Sequence, residues 1–90
     1  MEKHESPVYN VIAVPIQKIK PNNYNPNSVA PPEMRLLYRS IKMDGYTMPI
    51  VCYYKKEEDE YIIVDGFHRY RVMREHEDIF EREGGMLPVS

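Results

Sequence analysis

The run Val64-Asp65-Gly66-Phe67-His68-Arg69-Tyr70-Arg71 collects a carboxylate, a glycine, an imidazole and two guanidinium groups where a β-branched stretch gives way to one without glycine or proline. A helix that starts directly after a strand presents N–H groups that its own turns leave unused, together with the positive end of its dipole. Such a terminus binds anions, and the phosphates of a nucleotide or a similar ligand fit this set. Gly66 lacks the Cβ that would keep a phosphate from those amides, while His68 and Arg69 fall in the first turn, within reach of the same ligand. Arg69 would supply paired hydrogen bonds, and His68 a neutral or charged donor depending on pH. A plain structural reading stands beside this one: Asp65 as an N-cap, Gly66 as a tight-turn residue, His68 and Arg69 solvated. The readings meet at Asp65, because a capping carboxylate competes with phosphate for the same amides. Bridging by Mg2+ or an outward rotamer would relieve that competition.

The elements that must position these residues follow from patterning. Ninety residues make one small domain, which buries roughly two-thirds of its unfolded surface and has room for a single core. Residues 1–10 are polar and aperiodic and read as a loose tail, with the domain proper over 11–90. Val11-Ile12-Ala13-Val14-Pro15-Ile16 suits a strand, with Pro15 at an edge or bend. Turn formers crowd residues 20–32. Apolar side chains at Met34, Leu37, Tyr38 and Ile41 form the stripe of an amphipathic helix over 33–44; Pro31-Pro32 and Glu33 suit its start and Gly45 its end. Residues 49–54 and 61–64 read as an antiparallel hairpin whose acidic connection, Lys55-Lys56-Glu57-Glu58-Asp59-Glu60, is a solvated tip. A second helix runs from Phe67 to His76. Gly84-Gly85 breaks the chain, and Met86-Leu87-Pro88-Val89-Ser90 is a strand barely begun. The expected class is α+β: a mixed sheet with a hairpin and two main helices.

Composition limits the function. No apolar run approaches a membrane helix, and the first residues lead into no signal-peptide core, so a cytoplasmic location is expected. The single cysteine, Cys52, lies in an apolar run and reads as an inert buried thiol. A net charge of −2 is a poor footprint for a free-standing DNA-binding domain, so any DNA contact belongs to a segment or partner outside this chain. His4, His68 and His76 share no metal-ligand spacing, and no metal site is expected.

Two ordered stretches carry a resemblance. Asp65-Gly66-Phe67-His68-Arg69-Tyr70-Arg71 resembles the second signature of the ParB N-terminal and sulfiredoxin superfamily, a strand followed by Gly-Glu-Arg-Arg-x-Arg or by Gly-Cys-His-Arg-Tyr. Ser40-Ile41-Lys42-Met43-Asp44-Gly45-Tyr46-Thr47-Met48-Pro49-Ile50 is similar to the ParB segment Ser-Ile-x-x-x-Gly-x-x-Gln-Pro-Ile. Val14-Pro15-Ile16 with Ile19-Lys20-Pro21-Asn22 looks like the opening strand and its loop, and Tyr24-Asn25-Pro26-Asn27 like the ParB Pro-Arg turn, with Asn27 where Arg is usual.

The resemblance implies a small ParB/sulfiredoxin-like domain that binds a nucleoside triphosphate, CTP or ATP, with Mg2+ as a candidate companion. Gly66, His68, Arg69 and Arg71 would meet the phosphates; Gly45, Tyr46, Thr47, Met48, Pro49 and Ile50 would lie near the base or sugar. Arg71 matches the last ParB arginine and reads equally as a solvent-facing helix charge. Met48 replaces a glutamine, so the ParB base preference does not carry over. Phe67 stands where sulfiredoxins use a cysteine and has no nucleophilic atom, which removes sulfinic-acid reductase chemistry and favours a core role. The implied function is a switch or assembly module in DNA partitioning, plasmid or phage biology, with a homodimer left open. The alternatives are a small-molecule kinase or nucleotide hydrolase, for which Glu33, Asp44 and Asp65 are the candidate carboxylates, or an interaction domain that has lost its ligand. ParB proteins carry a third nucleotide-contacting segment and a helix-turn-helix region beyond the point matching Ser90, so the stretch is expected to be a cut, partner-completed or stripped-down form.

Overall fold

Short apolar segments separated by glycine and proline have to combine to make a core, and they do so as a curled sheet covered by helices. A computed structural model of the chain describes residues 10–22 and 31–90; residues 1–9 of the expected tail over 1–10 and the Tyr24-to-Asn27 turn lie outside the described residues. Strand β1 (Ile12–Pro15) is followed by a 3-10 turn (Ile16–Lys18) and the two-residue strand β2 (Ile19–Lys20). Helix α1 (Pro31–Asp44) comes next, then the hairpin of β3 (Val51–Lys55) and β4 (Glu60–Asp65), helix α2 (Phe67–Glu75), helix α3 (Glu77–Arg82) and strand β5 (Met86–Val89).

β1 pairs antiparallel with β5, β3 antiparallel with β4, and β2 parallel with β4. The two groups are joined because Ile50 N donates to Pro88 O at 2.8 Å, Ser90 N to Ile50 O at 3.0 Å and Cys52 N to Ser90 O at 3.0 Å. The strand order is therefore β1-β5-β3-β4-β2, a mixed sheet with consecutive strands of the chain on its two edges. In a flat sheet those edges would lie about 19 Å apart at a strand spacing of about 4.8 Å. A three-residue turn cannot bridge that span, so the sheet must curl, and Ile16 N bonding to Gly85 O at 2.9 Å pins the bend. Pro15 sits at this bend, as its fixed φ and missing N–H lead one to expect.

The curled sheet and the helices enclose one core. Val14 and Ile19 enter it from the first strands, Ile41 from α1, Ile50 and Ile63 from the hairpin side, Phe67, Tyr70, Val72 and Met73 from α2, Ile79 from α3, and Leu87 and Val89 from β5. The stripe on α1 is confirmed, with Ile41 buried and Met34, Leu37 and Tyr38 packed against the cluster. Gly45 follows α1 at φ +77°, the left-handed cap its sequence position suggested, and its N–H reaches Ile41 O at 2.8 Å.

Three local expectations are corrected. The last strand is not barely begun: β5 pairs over its whole length and lies inside the sheet, between β1 and β3. The expected second helix is borne out as α2, which ends at Glu75 before an extended His76 (φ −130°, ψ 107°), but the expectation of two main helices lacked α3, Glu77–Arg82, which makes three α-helices among the described residues. Cys52 is half-buried rather than inside the core, and burial pushes its thiol pKa up to about 11.

A polar clamp fastens α3 to the end of α1. Arg82 donates from Nη1 to Lys42 O at 2.8 Å, a carbonyl of the last helical turn, and from Nη2 to Ile41 O at 2.9 Å, which it shares with Gly45 N–H. Asp78 Oδ2 accepts from Tyr38 Oη at 2.6 Å and from Lys42 Nζ at 2.7 Å, and the Tyr38 ring stacks on His76 with centroids 3.9 Å apart. The C-terminal half of α1 is thereby fastened to α3.

Candidate functional site

The strand-to-helix junction falls where the sequence placed it, with β4 ending at Asp65, α2 beginning at Phe67 and Gly66 between them. Gly66 is the N-cap residue at φ +103°, a left-handed conformation that a residue with a Cβ enters only with strain. As a glycine it offers no side chain with which to cap the helix. The Asp65 side chain is 71% exposed and turned toward the Arg69 guanidinium, with Oδ2 3.8 Å from Nη2.

Arg69 does more than the sequence indicated. Its guanidinium folds back across Gly66, and Nη2 donates to Pro49 O at 3.0 Å. A Cβ on Gly66 would stand 2.8 Å from that nitrogen, so the missing side chain makes room for Arg69 as well as for a ligand. Arg69 Nε is buried without a partner. The residue's backbone carbonyl accepts from Tyr46 Oη at 2.9 Å, which ties the segment after α1 to the first turn of α2. Tyr46 is half-buried, and burial raises its phenol pKa above the ordinary value.

His68 is partly buried, with Nδ1 sealed from solvent and without a hydrogen-bond partner, and its ring lies edge-on to Phe67 at 5.3 Å. Burial lowers its pKa first, the Arg71 charge lowers it further, and Glu33 opposes the shift. The imidazole is thus held toward its neutral form, in which one ring nitrogen accepts and the other donates. Phe67 is core, as expected from its apolar character.

Leu37, Asp65, Gly66, Phe67, His68 and Arg69 line a cleft of about 320 Å³. That volume suits a small polar group better than an entire nucleotide. A larger groove, about 630 Å³, lies between the 3-10 turn, β2 and the far side of α2, lined in part by Ile19, Tyr70, Met73 and Arg74. It contains none of the expected phosphate residues. Size alone does not outweigh the glycine, the uncapped helix start and the two unpartnered polar atoms gathered at the smaller cleft.

Gly66, His68 and Arg69 come together, whereas Arg71 lies outside this lining, its Nε 2.6 Å from Glu75 Oε2. The segment expected at the base or sugar is dispersed. Pro49 touches the site through its carbonyl, Ile50 is fully buried, Thr47 and Met48 are exposed, and Gly45 and Tyr46 line a separate cavity with Asp44. Sequence reasoning missed the Tyr46 brace, the Asp65 contact with Arg69 and the part of Leu37, whose place on the helix stripe was the available signal. Among the described residues no group of three or more His, Cys, Asp or Glu could hold a metal ion by itself. No helix among them is long and apolar enough to cross a membrane.

Comparison with known proteins decides the family, since residues 1–79 match the ParB N-terminal domain. The chain belongs to the ParB N-terminal domain family. It is 44% identical over 86 residues to the uncharacterized Escherichia coli protein YbdM, covering 96% of this chain and 41% of that one. It is 38% identical over 65 residues to a nucleoid occlusion protein of Lysinibacillus sphaericus, covering 71% of this chain and 22% of that one. The chain thus spans less than half the length of either relative. Among solved structures, the C-terminally truncated chromosome-partitioning protein ParB of Caulobacter crescentus, complexed with CTP-γ-S, superposes with a TM-score of 0.67 at 24% identity, covering 89% of this chain and 42% of that one. Sulfiredoxin of Arabidopsis thaliana gives 0.65 at 20% identity, covering 89% and 81%. These likenesses establish the fold: a small α+β ParB-like domain with a mixed sheet, as the resemblance implied.

Proposed function

We propose that this ParB-like domain binds a nucleotide, with its phosphates at the start of α2, and serves as a switch or assembly module. The observation that carries the reading is the uncapped N-terminus of α2. Gly66 opens its approach, while the Arg69 guanidinium and the His68 imidazole flank it, each with a buried nitrogen that has no partner. A phosphate has the oxygens to accept from the first-turn amides and from the Arg69 guanidinium. The family supports the reading, as does the Caulobacter ParB structure, which holds a nucleotide analogue. Gly66, His68 and Arg69 form the phosphate set; Arg71 acts on it through its charge rather than by contact. Contact with DNA, in this reading, falls to parts of the protein or partners beyond this domain.

Thermal-shift and calorimetric titrations with ATP, CTP, GTP and their diphosphates test it, with and without Mg2+. A ligand that binds the folded state raises apparent stability by about 2.7 kcal/mol at a hundredfold excess over its dissociation constant. Arg69→Ala should abolish the shift. If no nucleotide stabilises the wild type, the reading is wrong; a shift that survives in Arg69→Ala would move the site away from α2.

A further inference from the structure

Helix α1 buries one side and leaves another unused. Met34, Leu37, Tyr38 and Ile41 pack toward the core. Leu36 and Met43 instead point into solvent at 66% and 83% exposure, the two highest values for large apolar side chains among the described residues. They are two helical turns apart and so lie on one line along the helix. Arg39 and Ser40 sit between them, one on each side of that line and within helical contact distance of both, and Arg35 lies one turn before Arg39. All of these side chains are exposed.

The charges on this face are unequally committed. Lys18, Lys42, Arg71 and Arg82 each have a carboxylate within 2.8 Å. Arg35 and Arg39 have none among the described residues. Glu33 and Asp44 sit toward the two ends of α1, so the middle of the face is cationic. The contacts of Arg82 and Asp78 fasten the helix from behind, and the face is presented by a fixed backbone. An apolar line bordered by two uncommitted guanidinium groups complements an amphipathic helix with carboxylates beside its own apolar stripe. Two helices packed at about 8–10 Å would bury Leu36 and Met43 against that stripe. A bilayer carrying anionic lipids would meet Glu33 and Asp44 as well as the cations and gain only two apolar side chains. A second copy packed antiparallel on the same face would set Arg39 against Arg39.

We propose that the outward face of α1, centred on Leu36, Arg39 and Met43, docks an acidic amphipathic helix of a partner protein. The two apolar side chains anchor that helix, and Arg35 and Arg39 select for its negative charge. The site is separate from the cleft at the start of α2, to which α1 contributes Leu37 from its core-facing side, and it does not depend on the nucleotide reading.

Titration of the isotope-labelled chain with a synthetic peptide tests it. The probe is a blocked helical peptide with leucines on one face and glutamates beside them; its control has lysines in place of the glutamates. The acidic peptide should shift the NMR signals of Leu36, Arg39, Ser40 and Met43 and leave those of Gly66 and His68 in place, and the lysine peptide should not bind. In fluorescence anisotropy the double variant Arg35→Glu, Arg39→Glu should lose at least about tenfold in affinity, the scale of two exposed ion pairs exchanged for two like-charge contacts. The double variant Leu36→Ser, Met43→Ser should lose about tenfold or more through the missing apolar contact. All four side chains are exposed, so both variants should keep the wild-type urea midpoint and the losses report the interface alone. No shift with the acidic peptide, equal affinity for the lysine peptide, or undiminished affinity in Arg35→Glu, Arg39→Glu overturns the proposal. Binding to anionic vesicles that these variants lose would assign the face to a membrane, and shifts at Leu36 and Met43 that grow with protein concentration alone would assign it to a second copy. Either result overturns the proposal as well.

Discussion

Replacing Gly66 with alanine probes the packing at the junction more sharply than any change to a ligand-facing side chain. The substitution places an L side chain at φ +103°, which costs about 1–2 kcal/mol for a left-handed conformation. The new Cβ would also stand 2.8 Å from Arg69 Nη2 and 3.2 Å from Ile50 Cδ1. Ile50 is fully buried and cannot withdraw, so Arg69 must move and give up its bond to Pro49 O. A hydrogen bond from a charged donor contributes about 1.5–3 kcal/mol, which brings the expected loss to about 2.5–5 kcal/mol. Gly45→Ala is the matched control. It too has positive φ, +77°, but open space around the would-be Cβ, so it should cost only the backbone share of about 1–2 kcal/mol. Urea unfolding at low temperature measures both, and a cycle with Arg69→Ala isolates the clash. The coupling between positions 66 and 69 should be about 1.5–3 kcal/mol, because alanine at 69 removes both the obstructing group and the bond it would lose. If Gly66→Ala costs no more than Gly45→Ala, or if the cycle closes with no coupling, then Arg69 does not lie across Gly66 in solution.

Other consequences are more quickly stated. Arg82→Ala removes two donors from the last carbonyls of α1 and should lower stability by about 1–2 kcal/mol in urea titration, with nucleotide contacts untouched. The Asp78 carboxyl is held well below the ordinary carboxylate range by the hydrogen bonds from Lys42 and Tyr38. Its stabilising contribution is therefore present above the ordinary value of about 4 and is lost as pH falls through the lower folded value. The difference in urea midpoint between wild type and Asp78→Asn should accordingly be constant near neutrality and shrink in strong acid. His68 should titrate below the ordinary imidazole value of about 6.5 in an NMR pH series, and a bound phosphate should raise that midpoint.

The parts legible in the sequence are those fixed by local pattern. The stripe from Met34 to Ile41 had one helical interpretation, and the two apolar runs around the acidic tip had one hairpin interpretation. What was not legible depends on distant partners or on very short length. A two-residue strand such as Ile19-Lys20 exists only because β4 lies beside it. The six residues of α3 are too few to show a period, although Glu77 and Asp78 at its start and Arg82 at its end match its dipole. Within the site, Gly66, His68 and Arg69 come together because adjacency along one helical turn guarantees it. The segment from Gly45 to Ile50 offered no such guarantee. Ile50 pairs with the sheet and points into the core, which leaves Pro49 to meet Arg69 through its carbonyl alone.

The position of Arg69 also removes the opposition between a structural and a ligand-binding role for it. A guanidinium has five N–H donors in a planar fork, and one bond to Pro49 O leaves most of that capacity in place. Tyr46 holds the backbone of the same residue and Gly66 admits its side chain, so the fork is oriented before any anion arrives. Orientation of this kind lowers the entropic cost of binding, since the side chain has little rotamer freedom left to lose. A lysine at this position would offer a single flexible ammonium, unable to hold the Pro49 carbonyl and face the helix start in one fixed plane. The contacts that make Arg69 part of the fold are thus the ones that suit it to a phosphate.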